Sequence, residues 1–139
     1  MRLWHYKLIP YLPNEMLISQ WRECIAIKRQ WEKGTLKHRL VSYVMDYDKT
    51  RFFRYVEAVR DEMCDRKIKF QNKYFIEIME YCQYDWNGNF ELYPEHNNRY
   101  LVQCYYNLQE KYDRGIITKE EWEKINNCPD LFDVDVYDG

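Results

Sequence analysis

Apolar residues recur every three or four positions along most of this chain, the period that lines one face of an α-helix. Met16, Leu17, Trp21, Cys24, Ile25 and Trp31 carry the pattern through the first long segment. Asn14 is placed to cap it, Glu15 sits in the first turn where the helix dipole favours negative charge, and Gly34 ends it. Pro10 and Pro13 bracket a loop ahead of that helix. Leu36 to Met45 predicts a shorter helix or a turn-rich stretch. Thr50 is placed to cap a third helix with Phe53, Val56, Val59 and Met63 on one face and Arg54, Arg60, Asp61, Asp65 and Arg66 on the other.

Asn72 to Tyr84 predicts another helix through Phe75, Ile76, Ile78, Met79 and Cys82. Asp85 to Asn89 predicts a loop, because Asn87-Gly88 is a strong turn signal, and Tyr93-Pro94 marks its far end. From Asn97 or Asn98 to Lys111 or Tyr112, Leu101, Val102, Tyr105 and Leu108 share a helical face that Gly115 closes. Thr118 with Glu121 makes a capping box for a short helix through Trp122 and Ile125. Beyond Pro129 the tail is expected to fray. No segment alternates apolar and polar residues for long enough to demand a sheet. The expected fold is all-α, a single compact helical domain of about five to six helices.

Composition narrows this further. At 139 residues the chain suits one domain, which at that size buries roughly two thirds of its unfolded surface without staples. Hydrophobic residues make up 46% and aromatics 18%, enough to exclude disorder for most of the length. Charges interrupt every apolar run short of a membrane span, and Met1 to His5 lacks the apolar stretch of a signal peptide. The five cysteines are odd in number, widely spaced and without a Cys-x-x-Cys pair, so they read as reduced thiols of a cytoplasmic protein. No His, Cys or carboxylate cluster has metal-ligand spacing, and no Walker-type or GxGxxG loop appears, so no metal and no cofactor is expected.

Net charge is −2, which alone argues mildly against a nucleic-acid partner. Its distribution changes that. The tail from Cys128 to Gly139 holds Asp130, Asp133, Asp135 and Asp138 and no Lys or Arg, and without it the chain is net positive. Arg22 to Arg39 carries Arg22, Lys28, Arg29, Lys33, Lys37 and Arg39 against Glu23 and Glu32. A run of this kind serves either as a solvated face or as a phosphate-contacting patch.

Met1-Arg2-Leu3-Trp4 opens the chain, Leu8 to Leu12 leads into the first helix, and that helix reads Leu17-Ile18-Ser19-Gln20-Trp21-Arg22-Glu23. Tyr47-Asp48-Lys49, Phe52-Phe53, Arg60 and Glu62-Met63 follow. Together these resemble the pyrimidine-dimer DNA glycosylase (endonuclease V-type) family over about the first half of the chain. No counterpart is evident for Asn72 to Gly139.

The resemblance implies a DNA-repair glycosylase with associated AP-lyase activity, acting on pyrimidine dimers or related damage in duplex DNA. In that chemistry the α-amino group of the chain attacks the sugar carbon of the damaged nucleotide, releases a base and forms a Schiff base that permits strand scission. An α-amine suits this because its reference pKa is only about 8. Carried over, Glu23 matches the carboxylate that handles protons, and Arg22 its neighbouring arginine. Position 2 is Arg2, too bulky for removal of the initiator Met, so the nucleophile would be the amine of Met1. Met16 and Ala26 stand where other members carry polar or basic residues, which moves part of the DNA-contact set to Lys28 and Arg29. Arg2, Lys28, Arg29, Lys33, Lys37, His38 and Arg39 complete the expected DNA-contacting set.

On this reading residues 1–127 form the helical domain, with 1–70 the glycosylase-like half, 71–127 additional helices, and 128–139 an acidic tail. The protein is expected to act as a monomer, without membrane or metal. The alternative is a non-catalytic helical protein that keeps the fold and binds DNA or a protein partner. Residue by residue, Trp4 and Trp21 read as core or interface aromatics, His5 as structural or solvated, and Cys24 as a thiol with no nearby His to act as its base.

Overall fold

The computed structural model describes residues 1–83 and 91–133. Six α-helices cover Asn14–Lys33 (α1), Lys49–Asp65 (α2), Asn72–Cys82 (α3), Asn98–Asp113 (α4), Lys119–Ile125 (α5) and Asp130–Asp133 (α6), and the described residues hold no strand. The fold is all-α, as the periodicity requires. None of the described helices is long and apolar enough to cross a membrane.

The local signals account for most element ends. Gly34 and Gly115 follow α1 and α4 with φ of +73° and +78°, the left-handed region that closes a helix. Thr118 and Glu121 form the reciprocal capping box at α5. Asn97 caps α4 by accepting the N–H of Tyr100 at 2.9 Å.

Other local expectations are corrected or narrowed. The cap of α2 is Asp48, whose carboxylate accepts the N–H of Thr50 at 2.8 Å, while Thr50 is itself buried in the first turn. Asp outranks Thr as a cap, so the residue two positions earlier takes the role. The segment around Pro10 is a 3-10 helix, Tyr6–Tyr11, capped by His5. Leu36 to Met45 is turn-rich, closing in a 3-10 turn at Ser42–Asp46. α3 stops at Cys82 because Gln83 takes a left-handed φ of 49°. Ile76 on that helix faces outward, 40% exposed. The loop expected at Asp85 to Asn89 lies outside the described residues. Past Pro129 the chain makes the single turn of α6.

The chain divides into two compact units. The first contains Met1–Leu3 and Leu17–Tyr93, the second Trp4–Met16 and Pro94–Gly139.

In the first unit α2 packs against α3 and against the Ser42–Asp46 turn. Its core is aromatic and branched, with Phe52, Phe53, Tyr55, Val56 and Val59 wholly or almost wholly buried along α2. Trp21 of α1 meets Phe70 at 5.2 Å between ring centres, and Trp31 meets Phe52 and Tyr81 edge-on. Lys49 lies over the Tyr81 ring at 4.2 Å, a cation–π contact tying the start of α2 to α3.

In the second unit α4 and the Tyr6–Tyr11 turn flank α5. Leu8, Leu12, Leu101, Cys104, Leu108, Ile125 and Cys128 pack together there with almost no exposure. Trp122 stacks between Tyr105 and Tyr112, each 5.2 Å away. His5 and His96 are buried in the same unit. All five cysteines are free thiols.

Candidate active site

Glu23 lies one turn after Gln20 on α1, and the i, i+3 spacing puts both side chains on one face of the helix. That face meets the first residues of the chain. The Gln20 amide donates to the Arg2 carbonyl at 2.9 Å and to Glu23 Oε2 at 3.0 Å. Its own carbonyl accepts from the Tyr55 hydroxyl of α2 at 3.0 Å. Leu3, fully buried, anchors the chain just beyond.

Glu23 is half-buried, and loss of solvent raises its carboxyl above the ordinary range. Four groups pull the other way. The Met1 ammonium is the strongest, followed by the Arg2 backbone, His38 and the Gln20 amide. The chain-terminal amine and a poised carboxylate therefore share one site, with His38 within electrostatic reach. A chain-terminal amine beside a carboxyl raised by burial brings a potential nucleophile and a proton-transfer group to one place.

The residues singled out from sequence separate into groups. Met1, Arg2, Glu23 and His38 come together. Arg22 is exposed and faces away from that cluster, as helical neighbours about 100° apart must. It lines a groove of about 640 Å³ floored by Trp21, Ile25, Met63 and Phe70, and Arg29 and Lys69 are the other cations on it. Arg29 stacks over Tyr74 at 5.3 Å and pairs with Glu77 at 3.6 Å. Lys33, Lys37 and Arg39 are exposed at the end of α1 and in the turn that follows.

Lys28 departs from the expectation. It is 5% exposed, held by Glu32 at 2.6 Å and Glu77 at 3.5 Å, so its charge is compensated inside the protein and does not belong to a surface patch. Its position on the helix placed it among the cations, but only the approach of α3 brings Glu77 over it. Cys24, beside Glu23, is fully buried with its thiol pushed far up by lost solvent, which removes it as a nucleophile. Among the described residues no group of three or more His, Cys, Asp or Glu could hold a metal ion.

Sequence reasoning missed Gln20 and Tyr55. The one available signal was Gln20's place three residues before Glu23; Tyr55 comes from another helix and carried none.

The sequence model of the pyrimidine dimer DNA glycosylases matches residues 1–75, which include the whole Met1–Gln20–Glu23–Tyr55 cluster. The chain belongs to the pyrimidine dimer DNA glycosylase family. The match reaches from the terminus into the start of α3, whereas residues 76–139 lie beyond it. Neither the curated proteins nor the solved structures gave a match.

Proposed function

We propose that this glycosylase-family protein removes damaged pyrimidines from duplex DNA and cleaves the resulting abasic site through a Schiff base on the Met1 amine. The observation that carries the reading is the proximity of that amine to Glu23, a carboxyl raised by burial. In the proposed first step the neutral amine attacks C1′ of the damaged nucleotide as the glycosidic bond breaks and the base leaves with its electron pair. Loss of the amine proton and ring opening then give the cationic imine. Glu23 accepts and returns the protons and, as carboxylate, stabilises that cation. Arg22, Arg29, Lys33, Lys37 and Arg39 hold phosphates on either side, supplying affinity and register without reading sequence. Arg2, next to the nucleophile in sequence, contacts the phosphate nearest the lesion. Residues 76–139 contribute a second helical unit outside the matched segment, and the working form is a cytoplasmic monomer.

Borohydride trapping tests this directly. Protein mixed with duplex carrying one abasic site should form a covalent adduct on reduction, and acetylation of the terminus should abolish the adduct while leaving binding intact. No adduct from unmodified protein, or an adduct that survives acetylation, would sink the reading. DNA binding without trapping would instead favour a non-catalytic binding protein, the second reading, for which the bulky Arg2 directly after Met1 in the sequence is the motivating observation.

A further inference from the structure

Gln20 is fully buried, although a side-chain amide carries two donors and an acceptor that must all be satisfied away from water. Its partners are unusual in what they connect. One atom, Nε2, donates both to the carbonyl of Arg2 and to the carboxylate of Glu23. Both partners are acceptors, so the amide must present nitrogen to them and oxygen to the other side. There the Tyr55 hydroxyl donates to Oε1, and Tyr55 is itself fully buried on α2. The chain terminus, the acid–base residue and a second helix thus meet at a single amide whose orientation is fixed from both ends.

We propose that Gln20, oriented by Tyr55, is a positioning residue that holds the Met1 amine and the Glu23 carboxylate in working register. A chain terminus is ordinarily the most mobile part of a fold. Here the carbonyl one residue past the amine is hydrogen-bonded to the same nitrogen that holds Glu23, so the amine is confined relative to the carboxylate. The proposal rests on the amine mechanism given above. An apolar residue at position 20 would fill the same space with no amide to desolvate, so packing alone does not account for glutamine there. The Gln20 hydrogen bond also stabilises the Glu23 anion against its burial.

Two variants test this. Gln20→Met keeps the length and removes the side-chain hydrogen bonds to Arg2, Glu23 and Tyr55. Tyr55→Phe removes one hydroxyl and leaves the amide held from the Arg2 and Glu23 side alone. In each folded variant kcat on abasic-site duplex should fall about 10- to 100-fold, Gln20→Met more than Tyr55→Phe, with KM and DNA affinity little changed. The acidic limb of the pH–rate profile should move upward in Gln20→Met, because the Glu23 anion loses a donor. Independently of turnover, reductive ¹³C-methylation of Met1 followed by NMR should show a single sharp, shifted resonance in the wild type. Both variants should broaden it or return it toward a free-peptide position.

Folded Tyr55→Phe and Gln20→Met with wild-type kcat, pH limb and Met1 resonance would overturn the positioning role. A wild type that gives no borohydride adduct overturns the amine mechanism itself. In that case a variant-dependent Met1 resonance still establishes the tether and an invariant one removes it, so the two failures are told apart.

Discussion

Acidification should unfold this protein through a buried pair of histidines. His5 and His96 are 1% and 6% exposed, with ring centres 5.4 Å apart. Each Nδ1 accepts a main-chain N–H, His5 from Lys7 at 3.1 Å and His96 from Tyr6 at 3.2 Å. Burial lowers His5 to about 4 and His96 to about 3, from an ordinary 6.5. Lys7 and the neighbouring imidazole push the same way, and the peptide carbonyls that receive the His5 proton push back. Both folded values are depressed, so below 6.5 the unfolded chain binds protons that the folded chain refuses. Stability from this source is intact above about pH 7 and is lost as pH falls from 6.5 toward the folded values. At pH 5 each histidine costs roughly 2 kcal/mol, and the pair about 3–4 kcal/mol, a large share of the ~5–15 kcal/mol typical of a domain. Urea unfolding between about pH 8 and pH 5, followed by tryptophan fluorescence and circular dichroism, measures the slope. His5→Asn with His96→Asn keeps an acceptor near each Nδ1 and removes both titrations. The double variant should start weaker at high pH, then lose less than about 1 kcal/mol on the way to pH 5. A double variant that loses stability as steeply as the wild type would refute the argument.

Four further outcomes are expected. Glu23→Gln should cut turnover by about 10²-fold or more while DNA affinity holds or rises slightly, measured by single-turnover cleavage and by fluorescence anisotropy; EDTA should leave the wild-type rate unchanged. DNA affinity should fall with salt at a log–log slope of about −0.9 per phosphate neutralised, and Arg22→Ala or Arg29→Ala should each flatten it by about one phosphate, whereas Lys28→Met should not. Lys67 takes a left-handed φ of 59° after α2, so Lys67→Gly should raise stability by about 0.5–1 kcal/mol in urea titrations. Removing residues 134–139, with Asp135 and Asp138, should strengthen DNA binding modestly; the cut must follow Asp133. Cys128 is fully buried and Leu131 packs on the same cluster, so a cut after Asn127 would open the second unit's core and show as a lower Tm.

The sequence by itself determined the helices, because a 3.6-residue apolar period, a capping box at Thr118 and glycines at 34 and 115 are local facts that need no partner to act. It also carried the family likeness in Trp21-Arg22-Glu23 and the Met1 to Trp4 opening, and so pointed to Met1 and Glu23. What it left open were choices between equivalent local options and every long-range contact. Asp48 displaced Thr50 as the cap of α2 because its carboxylate reaches the Thr50 N–H, a competition between residues two positions apart. Lys28 read as a surface cation until α3 brought Glu77 against it. His5 had no visible role without His96, 91 positions away. Gln20 and Tyr55 are separated by 35 residues and by a change of helix, yet a hydrogen bond between them helps to orient the amide that faces both the Arg2 carbonyl and the Glu23 carboxylate. Helical periodicity fixes which face of a helix is buried. Which polar groups meet across that burial depends on the rotation and register of helices about one another, and that is set by the core as a whole.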